Sequence, residues 1–290
     1  MTNIGISQIR AFVAVADTSS FSVAAVQLGV SQSAISHALA ALERGIGRPV
    51  LTRDNPARPT PLGERLLDHA RTMLTSLAAM EELTQGRDNK VCGNVVLAAP
   101  STVCHSLVPG LFERWAVDFP GVSISVFEGE DDEVADWLEG ATADLAVLVD
   151  PAEVPPGAVM LADDPFHAVV RRDHPLAGEA QLDFADLADD PFLMSTGGCE
   201  RHSRELHRMS GVPFHPAHRV FQLSTLFAMV RAGVGISVVP GLAAGMQGAD
   251  LVLLPLVQRL TRSLVLTGPR DRPWHPATVA LLASLEEERR

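Results

Sequence analysis

The chain opens with apolar positions at helical spacing. Ile6, Ile9, Phe12, Val13 and Ala16 fall at i, i+3, i+6, i+7 and i+10, which predicts a helix with one buried face. Asp17-Thr18-Ser19-Ser20 interrupts the pattern with turn and cap residues. Ser22 is placed to cap a second helix through Val23, Ala24, Ala25, Val26 and Leu28, and Gly29 supplies the left-handed conformation that ends it. Ser31 follows as another N-cap. From there Ile35, Leu39, Leu42 and Ile46 run at i, i+4, i+7 and i+11 as one buried stripe, while Gln32, Ser33, Ser36 and His37 face elsewhere.

Two short helices joined by Leu28-Gly29-Val30-Ser31 have the spacing of a helix-turn-helix. Ala24, Ala25 and Ala34 suit a close helix crossing. The polar face of the second helix is short enough to meet base edges in a major groove while its apolar stripe holds it to the core. A helical hairpin without a ligand shows the same pattern, so this window alone leaves both readings open.

The segment Arg48-Pro49-Val50-Leu51-Thr52-Arg53-Asp54-Asn55-Pro56-Ala57-Arg58-Pro59 predicts two β-like arms around an Asp-Asn-Pro turn. Arg48, Arg53 and Arg58 against the single acid Asp54 suit a wing lying on phosphates. A solvent loop that happens to carry arginines is the alternative. Thr60-Pro61 reads as a helix start, with Thr60 as cap and Pro61 in the first position. Leu62, Leu66, Ala70, Met73, Leu77 and Met80 then form a narrow apolar seam about three heptads long. So thin a seam calls for a second copy as partner, with packing on the chain's own core as the other option. Residues 86–90 have the composition of a linker.

From residue 93 the pattern becomes alternating strands and helices. Val95–Ala99 is a continuous apolar run, as in a buried parallel strand. A helix through Leu107, Leu111 and Trp115, a strand at Val122–Phe127, a helix at Val134–Leu138 and a strand at Leu145–Val149 complete a βαβαβ unit. A second set follows: strand-like Ala168–Arg171 and Phe192–Met194, a helix through Leu206, a helix at Ser224–Ala232 and a turn plus strand at Gly233–Pro240. Strands at Leu251–Leu254 and Leu264–Thr267 and a closing helix at Ala277–Glu288 end the chain.

At 290 residues the length fits about two domains. A content of 47% hydrophobic and 20% charged residues excludes a disordered chain. No apolar run approaches the roughly 18 residues of a membrane span, and the N-terminus lacks a basic segment followed by an apolar one. The expectation is a cytoplasmic protein with no membrane partner. Cys92, Cys104 and Cys199 are odd in number, widely spaced and without a CxxC pair. The formal net charge is −12, unevenly divided: residues 1–90 hold 9 basic and 8 acidic side chains, residues 91–290 hold 14 and 27. Only the near-neutral head can approach a polyanion, so nucleic-acid binding must be local to it.

The N-terminal windows carry a resemblance. Phe12-Val13-Ala14-Val15-Ala16, Ser20-Phe21-Ser22-Val23-Ala24-Ala25, Leu28-Gly29-Val30-Ser31-Gln32-Ser33-Ala34-Ile35-Ser36 and Leu42-Glu43 resemble the LysR-type transcriptional regulators. Thr60-Pro61-Leu62-Gly63-Glu64 is similar to the start of that family's linker helix. Asp144-Leu145-Ala146, His174-Pro175-Leu176 and Met229–Ile236 are similar to motifs of its effector domain. The resemblance spans nearly the whole chain in order. It implies an α/β multi-domain protein: a winged helix-turn-helix at 1–59, a linker and dimerisation helix at 60–90, and a two-lobed domain shaped like a periplasmic binding protein at 91–290. Lobe one would comprise 93–164 and 268–290, and lobe two 165–267. It further implies promoter DNA, a small-molecule effector, a homodimer or homotetramer and RNA polymerase as partners, with no cofactor. Many members carry Arg or Lys late in the recognition helix, where this chain has Ala38, Ala40 and Ala41. Base reading here would rest on Gln32 and His37 with the wing arginines. Lys90 is the single lysine, so arginine must carry the phosphate contacts.

The first body strand ends in Ala99-Pro100-Ser101-Thr102, and the matching family position contacts effectors, which makes Ser101 and Thr102 the first choices. A simple helix cap is the alternative. Glu130 follows the second strand. Its charge disfavours a nearby carboxylate and points to a neutral or cationic ligand, although an acidic solvent loop over Glu128–Glu133 explains the same residues. Thr196, Gly197 and Gly198 would face Ser101 across the cleft, or form a plain Gly turn. Cys199, His202, His207, His215 and His218 crowd together, and Cys and His suit zinc or copper. Their spacing matches no closed zinc pattern. The family contains peroxide sensors that form a disulfide in this region, yet no second cysteine follows Cys199. A thiol- or metal-responsive regulator using Cys199, His202 and His207 remains the rival. A solute-binding protein is a further rival, opposed by the first 60 residues. No Gly-x-Ser-x-Gly elbow, Walker loop, HExxH or GxGxxG after a strand occurs, so neither a catalytic residue nor an enzyme is expected.

Overall fold

In the computed structural model, residues 4–52, 54, 56–84 and 91–287 are described. The chain divides into two units, one built chiefly from residues 1–89 and the other from most of 90–290.

The head holds α1 (Ile6–Thr18), α2 (Phe21–Gln27) and α3 (Gln32–Ile46), followed by the long α4 (Pro61–Thr84). Ile9, Phe12 and Val13 of the predicted α1 face are buried, as are Ile35, Leu39 and Leu42 of the α3 stripe, and together they form one core with Ala24 and Ala25. Ile6 stays exposed. The α2 cap is Ser20 rather than Ser22: the Ser20 hydroxyl accepts from the Val23 N–H at 3.4 Å. Ser22 lies inside the helix and donates to Gln32 Oε1 at 3.1 Å. Gly29 takes φ +64 between α2 and α3, as a turn this tight requires. The Ser31 hydroxyl caps α3 by accepting from the Ala34 N–H at 3.2 Å.

The α4 seam is divided. Ala70 is buried, and Leu66, Leu67 and Leu74 pack against the head's own core. Leu62 and Leu77 are half-buried, whereas Met73 and Met80 are 50% and 63% exposed. Part of the expected dimerisation seam, Leu66 above all, is therefore used within the chain, because α1 lies along the first turns of α4.

In the body, β1 (Cys92–Pro100) lies between parallel neighbours β2 (Gly121–Gly129) and β3 (Leu145–Val149), with α5 (Ser101–Ser106), α6 (Val108–Asp118) and α7 (Asp131–Glu139) in the crossovers. The single helix expected through Leu107 is two, because Pro109 has no N–H to continue α5 and instead begins α6. The strand expected from Ala168 starts earlier, as β4 (Val159–Arg171). Its first half pairs with β9 (Thr261–Thr267), and its second half pairs with β7 (Ser237–Pro240) and β8 (Leu251–Pro255). β4 is thus the first crossing between lobes, at Pro165–Phe166. The second crossing lies before Thr261 instead of after Thr267, because β9 pairs with β3 of lobe one.

Lobe two adds the parallel pair β5 (Leu193–Ser195) and β6 (His218–Val220), with α8 (Glu200–Ser210) and α9 (Leu223–Arg231). The period-two pleat of β4 gives each face a core. Ala168 and Val170 join Phe184 and Leu206 on one side; Val169 joins Phe227 and Val239 on the other. The closing helix α10 (Pro276–Glu287) buries Ala277, Leu281 and Leu282. No described helix is long and apolar enough to cross a membrane.

Candidate nucleic-acid interface and effector cleft

On the head, Gln32, Ser33, Ser36 and His37 are all exposed on the N-terminal half of α3, opposite the buried stripe. That arrangement is what a helix entering a groove needs: a polar edge in front and an apolar anchor behind. Gln32 is oriented by Ser22, and Ser33 shares a hydrogen bond of 2.9 Å with Ser31. The wing arms close as predicted, with Thr52 N–H donating to Arg58 O at 2.7 Å and Leu51 bridging Pro59. Arg48 and Arg58 are exposed, and Arg53 lies outside the described residues. Glu43, to which the pattern gave no role, fastens wing to helix by accepting from the Val50 N–H at 3.0 Å. A pocket of about 200 Å³ lined by Phe21, Gln32, Ser36, Glu43 and Thr52 lies between α3 and the wing.

In the body, a cleft of about 830 Å³ opens between the lobes. Ser101, Thr102, Glu130 and Gly197 of the expected effector residues line it. Thr196 and Gly198 are not part of the lining: the Thr196 N–H is spent on Val220 O, and Gly198 takes φ +74 in the turn. Glu130 is not in a solvent loop but precedes α7, where its N–H donates to Glu133 Oε2 at 3.0 Å and its carbonyl accepts from Val134. Burial, then the charges of Asp131, Glu133 and Glu128, holds the Glu130 carboxyl above its ordinary value. Burial also raises Asp131, against the pull of Arg262 and Arg201.

Arg262, which lines the cleft, belongs to a buried charge pair that the pattern did not expose. Arg262 donates to Asp164 Oδ2 from Nε at 3.0 Å and Nη2 at 2.8 Å, and from Nη2 to the Thr102 hydroxyl at 2.7 Å. Asp164 Oδ1 accepts from the Leu242 N–H at 3.0 Å, just beyond β7. The signal was available: a lone Arg just before the apolar run of β9, and two acids, Asp163-Asp164, inside a strand. Each looks like a loop until its partner is placed opposite.

Cys199, His202 and His207 are buried, each in its own surroundings. Cys199 lines the cleft, and burial pushes its thiol up to about 12, with Arg262 pulling the other way. His202 stacks on Phe166 and donates from Nε2 to Asp150 Oδ2 at 2.8 Å. The same carboxylate takes Arg201 Nη2 at 2.7 Å, and its other oxygen takes the Ser263 N–H at 2.6 Å. His207 sits in a cage of Phe184, Phe192 and Phe214 and donates from Nδ1 to Ser203 O at 2.7 Å. Among the described residues, no three His, Cys, Asp or Glu converge as metal ligands.

Comparison with known proteins matches both units. A profile described as the bacterial regulatory helix-turn-helix protein, lysR family, covers residues 6–64, and one described as the LysR substrate binding domain covers residues 88–290. The chain is 32% identical over 240 residues to a probable hydrogen peroxide-inducible genes activator of Mycobacterium avium, covering 81% of this chain and 77% of that one. It is 31% identical to the transcriptional regulator BudR of Raoultella terrigena, covering 94% of this chain and 90% of the relative. Among solved structures, full-length OxyR of Pseudomonas aeruginosa, a Cys-to-Asp variant, superposes with a TM-score of 0.77 at 24% identity, covering 98% of this chain and 95% of that one. Full-length CbnR complexed with its target DNA gives 0.67 at 21% identity, covering 98% and 99%. With a family profile over each unit and regulators as relatives along its length, the chain belongs to the LysR family of DNA-binding transcriptional regulators.

Proposed function

We propose that this regulator binds a small molecule in the cleft between its lobes and that occupancy changes how a homo-oligomer grips promoter DNA. The carrying observation is the cleft of about 830 Å³, a volume within the usual range for ligand sites, on a chain that also holds an exposed helix-turn-helix. Gln32, Ser33, Ser36 and His37 read bases, while Arg48, Arg53 and Arg58 hold phosphates. Ser101, Thr102, Glu130 and Gly197 contact the effector. Exposed Met73 and Met80 take a second copy of α4. Thr102 reaches Asp164 and the Leu242 N–H through Arg262, so a ligand on Thr102 bears on both lobes at once. The protein acts in the cytoplasm, with RNA polymerase as the downstream partner. Binding of promoter fragments by the full chain, with and without a metabolite panel, tests this reading. If no small molecule alters affinity, the DNA bend or the oligomer, it fails.

A thiol-responsive reading has one observation in its favour: Cys199 lines the same cleft, near Arg262, and the Mycobacterium avium relative is named for peroxide induction. Against it, a thiol held up at about 12 carries little thiolate, the form that reacts with oxidants. Peroxide-dependent DNA binding that is lost in Cys199→Ser would establish this second reading in place of the first.

A further inference from the structure

Resting on the effector reading above, we propose that the ligand carries a cationic head, an ammonium or guanidinium group, which docks on the carboxylates of Glu130 and Asp131 beside the Gly197-Gly198 turn. The lining holds four carboxylates, those of Glu128, Glu130, Asp131 and Glu133. Its arginine, Arg262, is hydrogen-bonded to Asp164, and its pull on Asp131 is outweighed by burial. Among the described residues, neither Glu130 nor Asp131 receives a hydrogen bond or ion pair on its carboxylate. Glu130 is held above its ordinary range by burial first and by neighbouring acids after it, and Asp131 by burial against the pull of Arg262 and Arg201. A cation relieves that cost; a carboxylate ligand would add one more like charge.

The turn opposite is shaped around these groups. A Cβ at Gly197 would stand 2.8 and 2.9 Å from the two Glu130 carboxylate oxygens and 2.9 Å from the Phe221 carbonyl. At Gly198 it would stand 2.9 Å from Asp131 Oδ2. The two glycines let lobe two come close to the carboxylates of lobe one, where any larger residue would press on them. Phe221, 58% exposed, lines the same cleft, and an aromatic side chain attracts a cation.

Independently of the acids, two buried donors line the cleft with hydrogens to give. Thr102 and Cys199 are each 3% exposed. The Thr102 hydroxyl accepts from Arg262, and its own hydrogen finds no acceptor among the described residues. The Cys199 thiol likewise finds none. They call for an acceptor atom on the ligand, so the molecule pairs a cationic head with an oxygen or nitrogen acceptor.

The test uses the full chain and three probes of one shape: benzylammonium, benzyl alcohol and benzoate, each followed by calorimetric titration and thermal shift. Saturable binding of benzylammonium, tighter than benzoate, and weakened by about tenfold or more in both Glu130→Gln and Asp131→Asn, is the expected result. Benzylammonium binding that is unchanged in both variants overturns the assignment. So does benzoate binding as tightly, or benzylammonium failing to bind at millimolar concentration. Benzoate or benzyl alcohol binding alone would overturn the cationic head while leaving the cleft an effector site. If none binds, the cationic head falls, and the effector reading is decided by its own DNA-binding test.

Discussion

Arg262 and Asp164 form an ion pair sealed from solvent, with side chains 4% and 2% exposed, where β9 and β4 cross between the lobes. Taking two charges out of water is repaid only when the geometry is good and the remaining donors and acceptors are used. Here the carboxylate uses both oxygens, and the guanidinium spends a further bond on Thr102. Removing one partner leaves the other charged and unsolvated. Arg262→Leu is expected to destabilise the body by about 3–5 kcal/mol in urea unfolding. A loss under about 1 kcal/mol would mean that Asp164 finds water or another partner.

Glu130→Gln is expected to stabilise the ligand-free protein. Because the folded-state Glu130 carboxyl is raised, its ionisation costs stability as pH rises through that value. The melting advantage of the variant over the wild type should grow from acid to neutral pH. A variant less stable at every pH would show that the carboxylate is satisfied.

His202 has the opposite sign from a histidine that gains a partner. Burial, with Arg201 and Arg262, lowers it below 6.5 despite its bond to Asp150. The folded state then binds fewer protons than the unfolded one, so stability rises with pH through the window just below 6.5 and is lost on acidification through it. Asp150 is lowered as well: burial works to raise it, but Ser263, His202 and Arg201 outweigh that, and its contribution fades further into acid. Denaturation across this range should show a slope that flattens in His202→Gln.

Arg58→Ala and Arg53→Ala are expected to weaken binding to all DNA sequences and to lower the salt slope by about one each. His37→Ala and Gln32→Ala should instead relax site preference at one or two base pairs. Equal loss on specific and unrelated duplexes in the α3 variants would remove that helix face from base reading.

Met73→Glu and Met80→Glu test the exposed remainder of the α4 seam. Each introduces a charge at an exposed apolar position of the helix. Sedimentation should show weaker self-association with the head still folded. An unchanged oligomer would place the interface elsewhere.

Most of the element order in both units was legible because periodicity reports burial directly; the short β6 and the break between α5 and α6 were not. Ile35, Leu39 and Leu42 are four and three apart and lie on one buried face; Val95–Ala99 reads as one buried strand and is β1. Caps and chain punctuation were legible to within a few residues: Ser31 caps as expected, while the cap at α2 moved from Ser22 to Ser20. Ser101, Thr102, Glu130 and Gly197, each shortly after a strand, were singled out with the help of the family resemblance, and all four line the cleft.

What the amino-acid pattern determined by itself is the local state of each segment, since a helix or strand follows from neighbours at short range. Tertiary structure decided which side chains met. Asp164 and Arg262 stand 98 residues apart and Thr102 and Arg262 160 apart, so nothing local marks them as partners. The lobe boundary moved for the same reason, because β9 is assigned by its pairing with β3 and not by its own composition. Leu66 and Met73 are alike on paper; only the path of α1 along α4 turned one toward the head's core and left the other open.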